Sequence, residues 1–413
     1  MSIHAFAPRP RRAAQGVWLP AACLGLDGSA AQAVLADWLQ AWGLSVPLSL
    51  QAGTQAGEIG WWVGLAPQVA DTWMPHFDTL HLAQVVEATL KAPPEHALAC
   101  ETLLAMLGSP LGYPFSSFEA WASAVRVRCH IAQAAQRTAL AFKTQAAERP
   151  EAFWRYDEDH GFVLQAGANL VDALVAATQP EATGRLYDFS CYRATEYVIL
   201  LGVVRELAAH HPALLAQLQQ VNEFHAIRSG LFHDTSLVEH GEHAAPLPPK
   251  FYVPGDRVWF RNPDIVSSDI TGYEGSWVIY MGGGLFSNFW RRDAPFTLDA
   301  KCVEIFHWRH ALALDEDGDL CIDEGLVARH VADTVADPQR LHQVLGRMMR
   351  HRDGKGIYAE GGCIDTTREH PRCVAQAQTS LPQTLATLMQ GWQAAATEPV
   401  LVAEAPLTQQ CPP

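Results

Sequence analysis

The 413-residue sequence has no unbroken run of about 18 apolar residues, so it predicts no membrane-spanning helix. It is also short of positive charge: 29 Lys and Arg stand against 44 Asp and Glu, a formal net charge of −15. A nucleic-acid partner is therefore not expected, because phosphate binding needs clustered cations. Nine cysteines, an odd number without repeating spacing, argue against a disulfide scaffold and for reduced thiols in a cytoplasmic protein. Arg9, Arg11 and Arg12 precede the apolar-leaning stretch from Val17 to Leu26, but Gln15, Gly16 and Pro20 interrupt it, so no signal peptide is expected. The chain lacks internal repeats. What remains is ordinary globular composition, 49% hydrophobic and 18% charged, with length for two or three domains.

Helical periodicity is clear in several places. Val34, Leu35, Trp38, Leu39 and Trp42 follow Ser29 as cap and precede Gly43 as a stop. Leu82, Val85, Val86 and Leu90 repeat the pattern before Pro93-Pro94. The longest expected helix fills Ser116 to Pro150, with Ser116 and Glu119 at capping-box spacing. Glu58 to Leu65 reads as a strand, and Phe153 to Leu164 as a hairpin turning at Asp157 to Gly161. A further helix starts near Cys191, capped by Asp188 or Ser190, with Ala194, Tyr197, Val198, Leu201, Val204 and Leu207 on one face. His225 to Lys250 reads as an irregular polar loop. Strands are expected at Asp256–Asn262, Ser276–Met281 and Leu285–Trp290, with Gly282-Gly283-Gly284 as a turn. Helices are expected at Gln339–Arg350 and Leu381–Ala395, then a mobile tail from Glu398 to Pro413.

Cys191 is the first candidate for chemistry. A thiol in the first helical turn meets the positive end of the macrodipole and unpaired N–H groups, which favour its thiolate and can hold an oxyanion. The bland alternative is a small buried residue.

The run Arg185-Leu186-Tyr187-Asp188-Phe189-Ser190-Cys191, ahead of a long apolar helix, resembles the nucleophile segment of the bacterial spore-coat protein-glutamine γ-glutamyltransferases. Phe118-Glu119-Ala120-Trp121 and Phe153-Trp154-Arg155 are similar to that family's N-terminal helix and its aromatic-Trp-Arg strand. Gly255-Asp256-Arg257-Val258-Trp259-Phe260-Arg261-Asn262-Pro263-Asp264 is similar to its Gly-Asp-x-x-Tyr-Phe-Lys-Asn-Pro segment, and Gly275 to Gly284 to its next strand and turn. The matches run in order from about Phe118 to about His310.

The resemblance implies an α+β fold related to papain-like and NlpC/P60-like cysteine enzymes: a helix-start cysteine packed on an antiparallel sheet, with flanking helical extensions. It places a transglutaminase-like domain at 112–312; outside its reach, the residues read as a mixed or helical module at 1–111 and a helical extension with a mobile tail at 313–413. It implies a thiolate that attacks a protein or peptide glutamine, releases ammonia and passes the acyl group to an amine or to water, without cofactor or metal. Cys191 falls on the nucleophile. The family's acidic residue before it falls on Ser190, its strand glutamate on Ser276 and its histidine on Phe289.

Other groups for the missing roles are Glu274, two residues before Ser276, and His225, His233, His240, His243, His307 or His310. The competing reading is a degenerate enzyme that binds a peptide or protein, its polar site made apolar by Trp277 and Phe289. Two metal-like patterns are incomplete. Asp315 to Asp319 puts glycine at the fourth place and Leu326 where a calcium loop needs an acid, so a hairpin turn is expected. Cys363, His370 and Cys373 lack the paired spacing of a zinc site.

Overall fold

A computed structural model describes residues 15–142, 147–159, 161–227, 229–352 and 361–375. The expected helix over Leu381–Ala395, the tail and the arginines before residue 13 lie outside the described residues. The central feature is a six-stranded sheet in the order Phe296–Thr297, Leu285–Phe286, Gly275–Gly282, Arg257–Arg261, Arg368–Pro371, Leu237–His240. Every neighbouring pair is antiparallel. Side chains alternate across the pleat. Val258, Phe260, Val278 and Tyr280 therefore join a core with Leu298–Trp308 and with Val344 and Met348. Ile279 and Met281 face the other way, into a core built with the helices Phe118–Arg137 and Cys191–His210.

Those two helices cross closely. A Cβ on Gly202 would come within 2.8 Å of the Ile131 backbone nitrogen, so a larger residue there would push the helices apart. Beside the crossing, Arg126 clasps the fully buried Glu206 through Nε, 3.0 Å from Oε2, and Nη2, 2.7 Å from Oε1. Arg128 reaches across to Asp256 at 2.7 Å, with both side chains buried, and so ties the long helix to the start of the strand Arg257–Arg261. A buried pair of this kind is costly to break, because removing one member strands the other charge.

The long helix is shorter than its alanine-rich composition predicts. Ser117, not Ser116, caps it by accepting the Ala120 N–H at 3.1 Å, and it ends at Arg137. Beyond it, Ala139, Leu140 and Ala141 donate their N–H groups to Thr178, Phe289 and Tyr187. Tertiary backbone pairing has displaced local helix propensity. The cap at Ser29 also moves: Asp27 accepts from the N–H groups of Ser29 and Ala30.

The stretch over His225–Lys250 is the larger departure. It holds a helix, Ser229–Ser236, and an edge strand, Leu237–His240, whose partner is the distant segment Arg368–Pro371. The third expected strand is cut to Leu285–Phe286, because Asn288 turns the chain by accepting from Arg291 N–H and donating to the Ala294 carbonyl.

Other expectations match the structure: the strand Glu58–Leu65, the hairpin Trp154–Asp157 with Gly161–Leu164, the helix Pro338–Met348 and the turn at Gly282–Gly284. Asp315 to Asp319 is indeed a hairpin turn, between Leu312–Leu314 and Leu320–Ile322. A separate four-stranded sheet near the N-terminus, ordered Leu48–Gln55, Glu58–Leu65, Gly16–Pro20, Gly112–Pro114, shares its core with Trp121 and Val125 of the long helix. No helix among the described residues is long and apolar enough to cross a membrane.

Candidate active site

Cys191 is the first residue of its helix, and Ser190 caps that helix by accepting the Arg193 N–H at 3.3 Å. Asp188, the other possible cap, is instead buried and forms an isolated bridge with Ala141. Two backbone N–H groups, those of Trp277 and Tyr192, act to lower the pKa of the thiol. One comes from its own helix start and one from the sheet strand Gly275–Gly282.

Those donors favour a thiolate, as the sequence reading expected, but they do not win. Cys191 is half-buried, and desolvation of its sulfur pushes the thiol above its ordinary range. Lys301 adds a lowering influence and Glu274 a raising one. The expected low-pKa thiol is therefore corrected to a raised one.

Around the sulfur the strands present aromatic rings and guanidinium groups. Tyr192 meets Trp277 edge-on at 5.0 Å between ring centroids, and Trp277 stacks on Trp259 at 5.6 Å and 7°. Arg257 lies 4.6 Å from the Tyr192 ring centroid and 4.9 Å from that of Trp277. Its Nε bonds Glu369, and its Nη2 lies 3.4 Å from the Tyr192 hydroxyl. Glu369 also takes His233 Nε2 at 3.2 Å. A cavity of about 200 Å³ lies beside Trp277, walled also by Arg257, Trp259, Arg352, Asp365 and Glu369; Cys191 is not among its lining residues.

Glu274 stands one residue before the strand, exposed, with its carboxylate accepting the Gly272 N–H at 3.0 Å. Ser276 is paired with Phe260 within the ladder. Phe289 is buried in the core beneath the cysteine helix, and its carbonyl accepts the Leu140 N–H at 2.8 Å.

The other candidates take other partners. His240 Nε2 lies 2.5 Å from His370 Nε2, and burial lowers the pKa of both rings. His307 bonds Thr334 at 2.7 Å and lies 3.2 Å from His310; burial brings its pKa down to about 4. His225 ends the helix Pro212–Phe224. His243 lies near His351 and holds that ring's pKa down slightly. Cys363 sits 3.4 Å from Cys302, and Cys373 reaches the Ala120 carbonyl, so neither is gathered with His370. Among the described residues, no group of three or more His, Cys, Asp or Glu is placed to hold a metal ion.

The sequence did not single out Arg257, Glu369, Tyr192 or Trp259. Arg257 and Trp259 lie within a segment that carried the resemblance, but nothing local marks Glu369, which is more than a hundred residues further along the chain and arrives on a strand paired directly with Arg257.

A helix-start thiol over an antiparallel sheet defines an α+β, transglutaminase-like fold. The family model for protein-glutamine gamma-glutamyltransferase matches residues 81–355, about two thirds of the chain, and the protein belongs to that family. A solved transglutaminase from Geobacillus stearothermophilus, without its C-terminal extension, is similar over 46% of this chain and 84% of its own, at 21% identity and a TM-score of 0.34. No curated protein matches the chain significantly.

Proposed function

We propose that this chain acts on the side-chain carboxamide of protein glutamine through Cys191. The thiolate adds to the carboxamide carbon, the C–N bond breaks, and ammonia leaves with the proton given up by the thiol. The thioester then passes its acyl group to a lysine or other primary amine, giving an isopeptide bond, or to water, giving glutamate; either step returns the thiol.

The observation that carries this reading is a cysteine at the first position of a helix packed on the strand Gly275–Gly282, with the backbone N–H groups of Tyr192 and Trp277 lowering its pKa. Such donors serve a thiolate before attack and are of the kind that hold an oxyanion after it. Glu274 is the carboxylate whose charge reaches the thiol, and it takes the acidic role in this reading. A buried thiol with a raised pKa makes for slow chemistry, since positioned acid–base groups contribute about 10²–10⁴-fold.

The test is incorporation of a fluorescent primary amine into a glutamine-rich protein, with ammonia release measured in parallel. The wild-type chain should do both and Cys191→Ala neither. Equal signals from the two chains would refute the proposal.

A second reading is favoured by one feature, the Phe289 ring packed into the core where the family carries histidine. In it the groove binds glutamine-bearing protein without turnover. Binding of a glutamine peptide with no ammonia release from the wild-type chain would select it.

A further inference from the structure

Cys302 and Cys363 lie in the core that the helix Leu298–Trp308 shares with the six-stranded sheet. They are 61 residues apart along the chain, yet their sulfurs are 3.4 Å apart, and both side chains are fully buried. Cys363 donates its S–H to the Met348 carbonyl at 3.3 Å, which leaves the Cys302 S–H as the donor between the two sulfurs.

The backbone holds this pair together for reasons of its own. Cys302 lies within its helix, away from either end. The Cys363 N–H donates to the Met348 carbonyl at 2.9 Å, and the Cys363 carbonyl accepts the Arg261 N–H at 2.9 Å. Gly362 admits no side chain, because a Cβ there would collide with the carbonyls of Met348 and Arg350. The meeting of the sulfurs is thus built into the fold.

A disulfide holds its sulfurs about 2.05 Å apart, so closing this pair asks for about 1.4 Å of movement. Helices shift by that much in ordinary transitions. Little is lost in return: once Cys363 has given up its proton, the Met348 carbonyl still accepts the Cys363 N–H.

We propose that Cys302 and Cys363 form an oxidation site, which a small-molecule disulfide such as glutathione disulfide converts into a reversible internal cross-link. One protein thiolate attacks a sulfur of the oxidant, breaks its S–S bond and releases one thiol. The second protein sulfur then attacks the mixed disulfide, forms the Cys302–Cys363 bond and releases the other thiol. Two electrons pass to the oxidant, and the two protein thiol protons end on the two released thiols. The Cys363 sulfur and burial together hold the Cys302 thiol well above its ordinary range. Exchange therefore proceeds when the segment carrying Cys363 opens, and the bond is trapped as it closes. The cross-link ties the helix Leu298–Trp308 to the segment that leads into the last strand, Arg368–Pro371. It does not rest on the glutamine chemistry above.

The test takes the full reduced chain, treats it with glutathione disulfide at about pH 8, blocks the remaining thiols and maps tryptic peptides without reduction. Peptides 302–309 and 356–368 carry one cysteine each, so their linked mass identifies the bond. That link should be the main internal disulfide and should vanish with dithiothreitol. The oxidised chain should melt about 4 °C higher than the reduced one, because a long loop is closed in the unfolded state. Cys302→Ala and Cys363→Ala should each lose both the link and the shift; if either variant fails to fold, the wild-type map still decides.

A map in which glutathione stays on single cysteines, with no 302–363 link, would overturn the site. A link that appears only in the urea-unfolded chain, or an oxidised chain that melts no higher than the reduced one, would do the same.

Discussion

Tyr192 stands edge-on to Trp277, their ring centroids 5.0 Å apart, and so fastens the first turn of the cysteine helix to the strand Gly275–Gly282. Trp277→Ala removes that contact and the stack on Trp259. It should destabilise the chain by about 2 kcal/mol, less than a fully buried tryptophan because Trp277 is half-buried. Alkylation of Cys191 should become faster as the cover is lost. Denaturant unfolding and mass-spectrometric mapping of iodoacetamide labelling check both, and an unchanged labelling rate would mean that Trp277 does not shield the thiol.

The pH response of the thiol follows from its surroundings. Burial holds Cys191 in the protonated form beyond the ordinary thiol value of about 8.5. Its labelling rate should keep climbing with pH after an unperturbed thiol has levelled off, and amine incorporation should follow the same rise. A thiol that reacts fastest of all and remains reactive at pH 6 would contradict this account. Lys301→Met should move the profile further upward, because Lys301 lowers the thiol's pKa.

Supplying the imidazole that the sequence resemblance places at Phe289 tests whether its absence limits the rate. Phe289→His should raise amine incorporation, by up to about 10²–10⁴-fold, if a missing base is what slows Cys191. Ser276→Glu should add nothing, because Ser276 shares the strand face of Val278 and Tyr280, away from the core of the cysteine helix. Phe289→His should also lower stability, because it places an imidazole in an apolar core. A folded Phe289→His variant with no gain would point to the binding reading. Circular dichroism and ammonia release give the two answers.

Away from the thiol, Glu101 makes the stability of the fold depend on pH. Its carboxylate accepts the Gly283 N–H and the Tyr280 hydroxyl within the protein, yet burial dominates and raises its pKa to about 7 from 4.5. An acid with a raised folded pKa binds its proton more tightly when folded. Its contribution is therefore present below pH 4.5 and lost as pH climbs to about 7. The loss is about 3 kcal/mol over that window. Glu101→Gln should flatten this part of the melting-temperature profile, and a variant that keeps the wild-type slope would show that another group is responsible.

Much of this was legible in the sequence because it is local. Ser190 before a long apolar helix marks the cysteine's position, and Asp315 to Asp319 reads directly as a turn. Legibility failed where distant chain decides. The alanine-rich run after Arg137 looks helical until Phe289, Thr178 and Tyr187 offer their carbonyls. Polar Leu237–His240 looks like loop until Arg368–Pro371 pairs with it. The helix dipole at Cys191 can be read from spacing, but the desolvation that outweighs it depends on how the sheet closes over the sulfur.

The strand Arg368–Pro371 sits between Arg257–Arg261 and Leu237–His240, although it comes last of the six along the chain. During synthesis the sheet is therefore left open at an interior position until its final strand emerges. Leu237–His240 waits without a partner, and the wall that contains Glu369 is absent. Long-range pairing of this kind is slow and leaves an unpaired edge exposed meanwhile. The cysteine helix can be formed early, but its surroundings are completed only when the sheet receives that late strand, which delays assembly of the thiol site until nearly all of the described chain has been made.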